Sequence, residues 1–246
     1  MTKLYLNNQK YLNLYKNRSK NSEIVTQALY GEGFSILSKK KNWLKIKLKD
    51  DGYKGFIINK SYPKYQKPTH KVSVLKANLF NKIRNKKIIG NLTFNSKIRE
   101  TTRKNGFVKF NNKWIEEKNI KPIKFKNKDY FKNIMIFKGI KYKWGGKTFK
   151  GLDCSALVQL FLNFNNIFFP RDAKDQVKYL KKKINLNKIK KNDLIYWKGH
   201  VAVILTRKKL IHAYGPMKKT VVMDVLPTIK RIKKTAKLEI ISIKRL

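Results

Sequence analysis

The first half of the chain alternates apolar and polar positions with a period of two residues. The pattern is clearest in Trp-Leu-Lys-Ile-Lys-Leu at residues 43–48 and in Phe-Val-Lys-Phe at residues 107–110. A period of two is typical of half-buried β-strands, because successive side chains of a strand point to opposite faces of a sheet. The pairs Asp51-Gly52 and Asn105-Gly106 lie beside these runs and are typical of turns between neighbouring strands.

Two successive segments share this organisation of short strands and turns. The sequence therefore predicts two small β-barrels, at residues 22–62 and 70–122, with prolines between them and a separate N-terminal segment at residues 1–21.

The pattern changes near residue 128. Apolar residues at helical spacing predict a helix within residues 130–139 and a buried helix that begins near Asp153. The later apolar runs are short and predict strands, and they are residues 194–197, 201–205, 210–214, 221–223 and 238–242. Helices followed by strands in one segment predict an α+β domain at residues 128–246.

The composition limits the class of protein. Of the 246 residues, 41% are hydrophobic, which is too many for a disordered basic tail. The formal net charge of +46 has two interpretations. It can attract an anionic partner such as nucleic acid, or it can reflect AT-rich coding, which enriches Lys, Asn and Ile. The cationic residues are spread along the whole chain, and this favours coding bias over a nucleic-acid-binding arm.

The sequence also bears on location and redox chemistry. It contains no apolar run of the roughly 18 residues that a membrane span needs, and its N-terminus does not resemble a signal peptide. We therefore expect a cytoplasmic protein. A single cysteine allows no internal disulfide and no multi-cysteine metal site.

That cysteine, Cys154, stands where a glycine-containing loop enters the predicted buried helix. Asp153 before it is a good N-cap residue. Free cysteine has a pKa of about 8.5, and the unpaired N–H groups and dipole of a helix start are expected to lower it.

Two of the three histidines, His200 and His212, fall in predicted adjacent strands. If an odd number of residues forms the loop between these strands, both side chains lie on the same face. A cysteine at a helix start, a first imidazole and a second polar group behind it form the nucleophile, base and orienting group of thiol hydrolases.

Simpler interpretations remain open at this point. A single cysteine on an apolar helix is usually a small buried hydrophobic residue, and a histidine in a strand usually has no catalytic role. The three side chains also form a weak zinc pattern, because they lack the close Cys or His pairs of structural zinc sites.

Five motifs in order resemble those of the NlpC-type cell-wall cysteine peptidases, a branch of the papain-like fold. They are Tyr-Lys-Trp-Gly-Gly at 142–146, Asp-Cys-Ser-Ala-Leu-Val at 153–158, Pro-Arg-Asp…Gln at 170–176, Asn-Asp-Leu…Gly-His-Val at 192–201 and His-Ala at 212–213. Ala156 and Asn192 replace glycines that are usual in the family, and neither is a reacting position.

The resemblance extends to the first predicted barrel. The segments at residues 27–32 and 51–56 resemble the bacterial SH3-like domain that precedes the catalytic domain in intracellular dipeptidyl peptidases of this family. The resemblance therefore implies a papain-like catalytic domain after two SH3-like barrels.

The resemblance implies hydrolysis of the amide between γ-D-glutamate and a diamino acid in peptidoglycan stem peptides. Cys154 would be the nucleophile, His200 the base and then the acid, and His212 the residue that orients His200, with no metal or cofactor. A cytoplasmic enzyme would release L-Ala-γ-D-Glu from imported muropeptides.

The resemblance also implies substrate-binding residues. An acidic residue and a tyrosine of the barrel, here Glu32 and Tyr53, would hold the free amine of the substrate together with Asp153 and Ser155. The remaining candidates for substrate binding lie in the motifs that carry the resemblance, and they are Tyr142, Arg171 and Asp172.

Two competing hypotheses remain. In the first, the chain is a basic module whose SH3-like barrels bind nucleic acid or cell-wall polymer, and Cys154 has no catalytic role. In the second, it is an endopeptidase or amidase that acts on the intact wall.

Overall fold

The computed structural model describes residues 3–246, which divide into two compact units. Of the described residues, the first unit comprises 3–126 together with Lys147–Phe149, and the second comprises Asn127–Gly146 together with Lys150–Leu246. Residues 1 and 2, which belong to the predicted N-terminal segment, lie outside the described residues.

The first unit consists of strands, turns and a short 3-10 helix, Glu117–Asn119. Its strands are β1 (Leu4–Leu6), β2 (Tyr11–Tyr15), β3 (Ile24–Leu29), β4 (Gly33–Lys40), β5 (Trp43–Leu48), β6 (Lys54–Ile58), β7 (His70–Val72), β8 (Lys76–Phe80), β9 (Ile88–Thr93), β10 (Lys97–Ile98), β11 (Thr102–Lys104), β12 (Phe107–Phe110), β13 (Lys113–Glu116), β14 (Ile120–Pro122) and β15 (Lys147–Thr148).

A six-stranded sheet with the order β1-β4-β5-β6-β2-β3 forms the first barrel-like body. In β5 the alternate residues Leu44, Ile46 and Leu48 are buried, as the period-two pattern predicts. Residues 4–6 and 11–15, which belong to the predicted N-terminal segment 1–21, form β1 and β2 of this sheet. They pair with β3 and β4, so the sheet begins earlier than the predicted boundary at residue 22.

A second body combines a five-stranded sheet, β11-β12-β13-β8-β9, with a three-stranded sheet, β10-β7-β14. The predicted turn at Asn105-Gly106 joins β11 to β12, where Lys104 pairs with Phe107. Both turn residues have positive φ angles, 49° and 73°. A two-residue hairpin turn of this kind requires such angles, and Asn and Gly tolerate them best.

The second unit contains the helices. Its elements are β16 (Gly151–Leu152), α1 (Cys154–Phe164), α2 (Ala173–Tyr179), β17 (Leu194–Trp197), β18 (His200–Ile204), β19 (Lys209–Tyr214), β20 (Lys219–Asp224), α3 (Val225–Ala236) and β21 (Ser242–Lys244). An antiparallel five-stranded sheet has the order β20-β19-β18-β17-β21. Helix α1 packs against β18 and β19 and is buried along almost its whole length.

Three predictions for this unit need correction. Residues 130–139 contain only a short 3-10 turn, Ile134–Phe137, because Asn133 has a left-handed backbone that a helix cannot continue. The sequence did not predict α3, which follows β20 directly. The last strand begins at Ser242 instead of residue 238, because α3 first ends at Lys237 in the left-handed region. The α+β class itself is confirmed.

None of the helices in the described range 3–246 combines the length and the apolar character that a membrane span requires.

Candidate active site

Cys154 is the first residue of α1. The predicted N-cap is confirmed, because Asp153 Oδ1 accepts a hydrogen bond from the backbone N–H of Ala156 at 2.8 Å. Only 4% of Cys154 is exposed to solvent. The cap fixes the start of the helix and therefore the position of the thiol.

Asp153 is also the centre of a buried ion-pair network. Arg171 donates from Nη1 to Asp153 Oδ1 at 2.9 Å and from Nη2 to Oδ2 at 2.6 Å. The hydroxyl of Ser155 donates to Oδ1 at 3.1 Å, and the N–H of Gly145 donates to Oδ2 at 2.9 Å. These contacts join three of the sequence motifs, so the carboxylate of Asp153 holds the loop at Gly145 and the segment of Arg171 against the helix start.

The two histidines lie on one face of the sheet. Strands β18 and β19 pair Ile204 with Leu210, so five residues, 205–209, separate the paired positions. This odd number is the condition under which both histidines lie on the same face. The ring nitrogens His200 Nε2 and His212 Nδ1 are 2.8 Å apart, which is a hydrogen-bond distance.

The thiol of Cys154 lies beside the start of β18. Its Sγ is 3.9 Å from the carbonyl oxygen of Gly199, and the backbone N–H of Val201 donates a hydrogen bond to it. Gly199 and Val201 are the chain neighbours of His200 on either side. The structure thus brings Cys154 to the strand segment that carries His200, and it brings His200 to His212.

Burial determines the charge states of these groups. It lowers the pKa of His200 to about 4 and the pKa of His212 to about 3. Burial, and after it the negative charge of Asp153, raise the pKa of the Cys154 thiol to about 12, although the Val201 N–H and the Arg171 guanidinium oppose this shift. The expectation that the helix start lowers this pKa is therefore wrong for the unliganded protein. The resting site holds a neutral thiol and neutral imidazoles.

His212 has two further neighbours. Its second ring nitrogen, Nε2, lies 3.4 Å from the sulfur of Met223. The ring of Tyr214 stacks on its face, with centroids 4.6 Å apart and planes 9° from parallel. His212 is completely buried, and these contacts fix the position and tilt of its ring.

Tyr142 belongs to the same unit. Its backbone N–H donates to the carbonyl of Lys218 at 2.8 Å. Burial raises the pKa of the Tyr142 hydroxyl, and the electrostatic influence of Cys154 and Asp153 raises it further. Asp172, by contrast, is the half-buried N-cap residue of α2.

The two barrel residues assigned to the substrate amine lie in the first unit. Glu32 is buried, and its carboxylate oxygens lie 3.3 Å and 3.4 Å from the ammonium of Lys147, which belongs to the same unit. Glu32 also accepts a hydrogen bond from the N–H of Leu29 at 2.9 Å. Tyr53 is half-buried against the apolar core of the first sheet. No local sequence signal indicates Lys147 as the partner of Glu32, because 115 positions separate the two residues.

Within residues 3–246, no cluster of three or more His, Cys, Asp or Glu side chains is arranged to hold a metal ion.

Two family models match the chain. Residues 139–235 match the NlpC/P60 family, and residues 14–61 match the bacterial dipeptidyl-peptidase SH3 domain. The first match contains Cys154, His200 and His212. The protein therefore has an NlpC/P60 domain after a bacterial SH3 domain, and it is a hydrolase of the cysteine-peptidase type.

Two curated relatives are similar along most of their length. Dipeptidyl-peptidase 6 of Lysinibacillus sphaericus is 25% identical over 82% of this chain and 84% of its own. Gamma-D-glutamyl-L-lysine dipeptidyl-peptidase of Bacillus subtilis is 26% identical over 84% of this chain and 77% of its own. A crystal structure of an NlpC/P60 family protein from Bacillus cereus has the same fold, with a TM-score of 0.83 at 18% identity and coverage of 98% of this chain and 99% of that one.

Proposed function

We propose that this protein hydrolyses the γ-D-glutamyl–diamino acid amide of peptidoglycan stem peptides, with Cys154 as nucleophile, His200 as base and His212 as its orienting partner. The observation that carries the proposal is the sequence of contacts from the thiol to the His200 segment and from His200 to His212. The name of the Bacillus subtilis relative, gamma-D-glutamyl-L-lysine dipeptidyl-peptidase, supports this substrate class, and the name of the Lysinibacillus sphaericus relative supports release of a dipeptide.

The proposed reaction begins from the neutral site. As Cys154 Sγ attacks the γ-carbonyl carbon, its proton passes to His200 Nδ1, and the Nε2–H of His200 donates to His212 Nδ1. Backbone N–H groups at the start of α1 stabilise the oxyanion. The imidazolium then gives its proton to the amine of the leaving diamino acid, and a thioester remains.

The second half of the reaction restores the enzyme. His200, again neutral, takes a proton from water, and the resulting hydroxide attacks the thioester carbon. The carbon–sulfur bond breaks and the sulfur recovers the proton from His200. The products are the peptide that ends in γ-D-glutamate and the shortened stem that begins with the diamino acid.

The experiment is product analysis by mass spectrometry with defined peptides. L-Ala-γ-D-Glu-L-Lys-D-Ala and its meso-diaminopimelate counterpart are each offered to the wild-type protein and to Cys154→Ala. We expect release of L-Ala-γ-D-Glu by the wild-type protein alone, with an unchanged circular dichroism spectrum for the variant.

Histidine variants provide a matched comparison. His200→Ala is expected to lose turnover by several orders of magnitude. His70→Ala removes a histidine of the first unit that contacts Glu100 and Arg103, and it should keep wild-type turnover. Cleavage by Cys154→Ala, or equal effects of His200→Ala and His70→Ala, would contradict the proposal.

The requirement for a free amine is a separate part of the proposal. We propose that the substrate amine is held by Glu32, Tyr53, Asp153 and Ser155. An N-acetylated peptide should then react much more slowly than the free peptide. Equal rates would favour the alternative of an enzyme that acts on the intact wall.

The ion pair with Lys147 provides a sharper test of Glu32. If Glu32 contacts the amine, Glu32→Gln raises KM for the free peptide and leaves KM for the acetylated peptide unchanged. Lys147→Met, which removes a competing ammonium, should lower KM for the free peptide. Equal effects on both peptides would show that Glu32 has a purely structural role.

Three further predictions stay proposals. We propose domain boundaries between residues 62 and 70 and between residues 122 and 128, with the first barrel beginning at β1 instead of residue 22, and limited proteolysis tests them. We also propose a cytoplasmic location and no nucleic-acid partner. Cell fractionation tests the first, and binding of duplex DNA at increasing salt tests the second.

A further inference from the structure

The hydrogen bond between His212 and Met223 can form only with the imidazole as donor. A thioether sulfur has lone pairs and no hydrogen to donate, so it can only accept a hydrogen bond. A neutral imidazole has one N–H and one nitrogen lone pair. Because His212 Nε2 lies 3.4 Å from Met223 Sδ, the favourable tautomer of His212 carries its proton on Nε2.

The tautomer of His212 determines the tautomer of His200. When Nε2 of His212 carries the proton, its Nδ1 is a lone pair and must accept from the nitrogen 2.8 Å away, His200 Nε2. His200 then carries its proton on Nε2 and has its lone pair on Nδ1. That lone pair is what a base needs to take the proton of a thiol.

The opposite tautomer of His212 would lose the hydrogen bond to Met223 and would remove the lone pair from His200 Nδ1. With the proton of His212 on Nδ1, the Nε2 lone pair would face the lone pairs of the sulfur. His200 would have to accept at Nε2 and carry its own proton on Nδ1, so it could not take a proton from Cys154 at that nitrogen.

The strand register places Met223 for this contact. Strands β19 and β20 pair His212 with Val221 and Leu210 with Met223, so Met223 is diagonal to His212 on the same face. The stacked ring of Tyr214 also restrains the imidazole. The methionine therefore accepts a hydrogen bond from a ring that is already held in place.

We propose that Met223 is a positioning residue, whose sulfur selects the tautomer of His212 and through it leaves His200 Nδ1 free to act as the base. The catalytic part of this inference rests on the proposed function. The tautomer itself is a property of the unliganded protein and can be measured without substrate.

The first measurement is nitrogen-15 NMR of the histidine rings in the wild-type protein at pH 7. We expect protonation at Nε2 and none at Nδ1 for both His212 and His200. Protonation of His212 at Nδ1 overturns the inference, whether or not the protein hydrolyses stem peptides.

The second measurement is the steady-state kinetics of Met223→Leu, which removes the acceptor and nearly preserves the side-chain volume. Loss of one ordinary hydrogen bond corresponds to a decrease of about fivefold in kcat, and we expect KM to be unchanged. Met223→Gln supplies an amide oxygen as acceptor and should recover most of kcat and the wild-type tautomer.

Met135→Leu is the matched control, because Met135 is exposed in the 3-10 turn of the same unit. It should have wild-type kcat and wild-type ring signals. Wild-type kcat and tautomer in Met223→Leu overturn the inference. If the wild-type protein shows the expected tautomer but does not cleave stem peptides, the proposed function fails and the tautomer selection stands.

Discussion

Removing Arg171 from its buried pair with Asp153 should strongly destabilise the second unit. The perturbation is Arg171→Met, which keeps much of the apolar stem and removes the guanidinium. Both side chains are nearly inaccessible, with 2% and 7% exposure. The variant leaves the Asp153 carboxylate buried without its bidentate partner.

The magnitude follows from this burial. Removing one partner of a buried ion pair costs about 3–5 kcal/mol of unfolding free energy, because the remaining charge stays out of water. Since domains have about 5–15 kcal/mol in total, the variant loses a large share of its stability. In the double variant with Asp153→Asn no charge is left buried, and we expect it to lose less than the sum of the two single variants.

The assay is urea unfolding followed by both tryptophan fluorescence and circular dichroism, because the two units can unfold separately. The control is Lys209→Met, which breaks the pair with Asp224 in which both side chains are about half exposed, 50% and 51%. This control should change the unfolding free energy by less than about 1 kcal/mol. A loss below about 1 kcal/mol in Arg171→Met, or one equal to the control, would refute the reasoning.

The titrating groups provide three more expectations. The wild-type protein should lose stability as the pH falls from 6.5 to 3, because burial lowers the pKa of the folded His212 imidazole from 6.5 to about 3 and the unfolded chain binds the proton first. His212→Asn should reduce this loss. An unchanged pH dependence of the urea midpoint in the variant would contradict the expectation. The rate at which iodoacetamide modifies Cys154 of the folded protein should rise with pH up to at least pH 10, because burial raises the thiol pKa to about 12. A modification rate that reaches a plateau near pH 8.5 would argue against a buried thiol. Lys147→Met should destabilise the protein more at pH 7 than at pH 5, because burial raises the pKa of Glu32 and Lys147 opposes that shift. Equal thermal shifts at both pH values would show that the charge of Glu32 does not change between them, and would contradict the raised pKa.

Local signals account for what the sequence predicted well. The alternation at residues 43–48 and the Asn105-Gly106 turn depend only on neighbouring residues, and both appear in the structure where the sequence placed them. The start of α1 was also predictable, because Asp153 is an N-cap directly before an apolar helix. The resemblance to the NlpC family then indicated which cysteine and histidines to consider together.

Helix α3 shows where local signals were insufficient. Its apolar residues Val225, Ile229 and Ile232 have helical spacing, but a proline and several cationic residues lie among them. The helix is stabilised by packing of these apolar residues on the core of the second unit, and packing of this kind cannot be inferred from a short charged segment.

The electrostatic effects of residues distant in the sequence also could not be predicted. The helix start should favour a thiolate at Cys154, but the surrounding protein removes water and adds the charge of Asp153. The desolvation cost depends on side chains from distant positions. No sequence motif indicates a role for Met223, because its sulfur is brought to His212 only by the pairing of β19 with β20.

The assignment of Lys147–Phe149 to the first unit affects how that unit can be produced and synthesised. A truncated protein that ends at Lys126 would bury Glu32 without the ammonium to which it is hydrogen-bonded. On the ribosome, the same carboxylate stays without this partner until twenty-odd further residues have been translated and the strand β15 has left the exit tunnel. The N-terminal part of this protein is therefore a poor candidate for expression as an autonomous fragment unless the peptide around Lys147 is supplied with it.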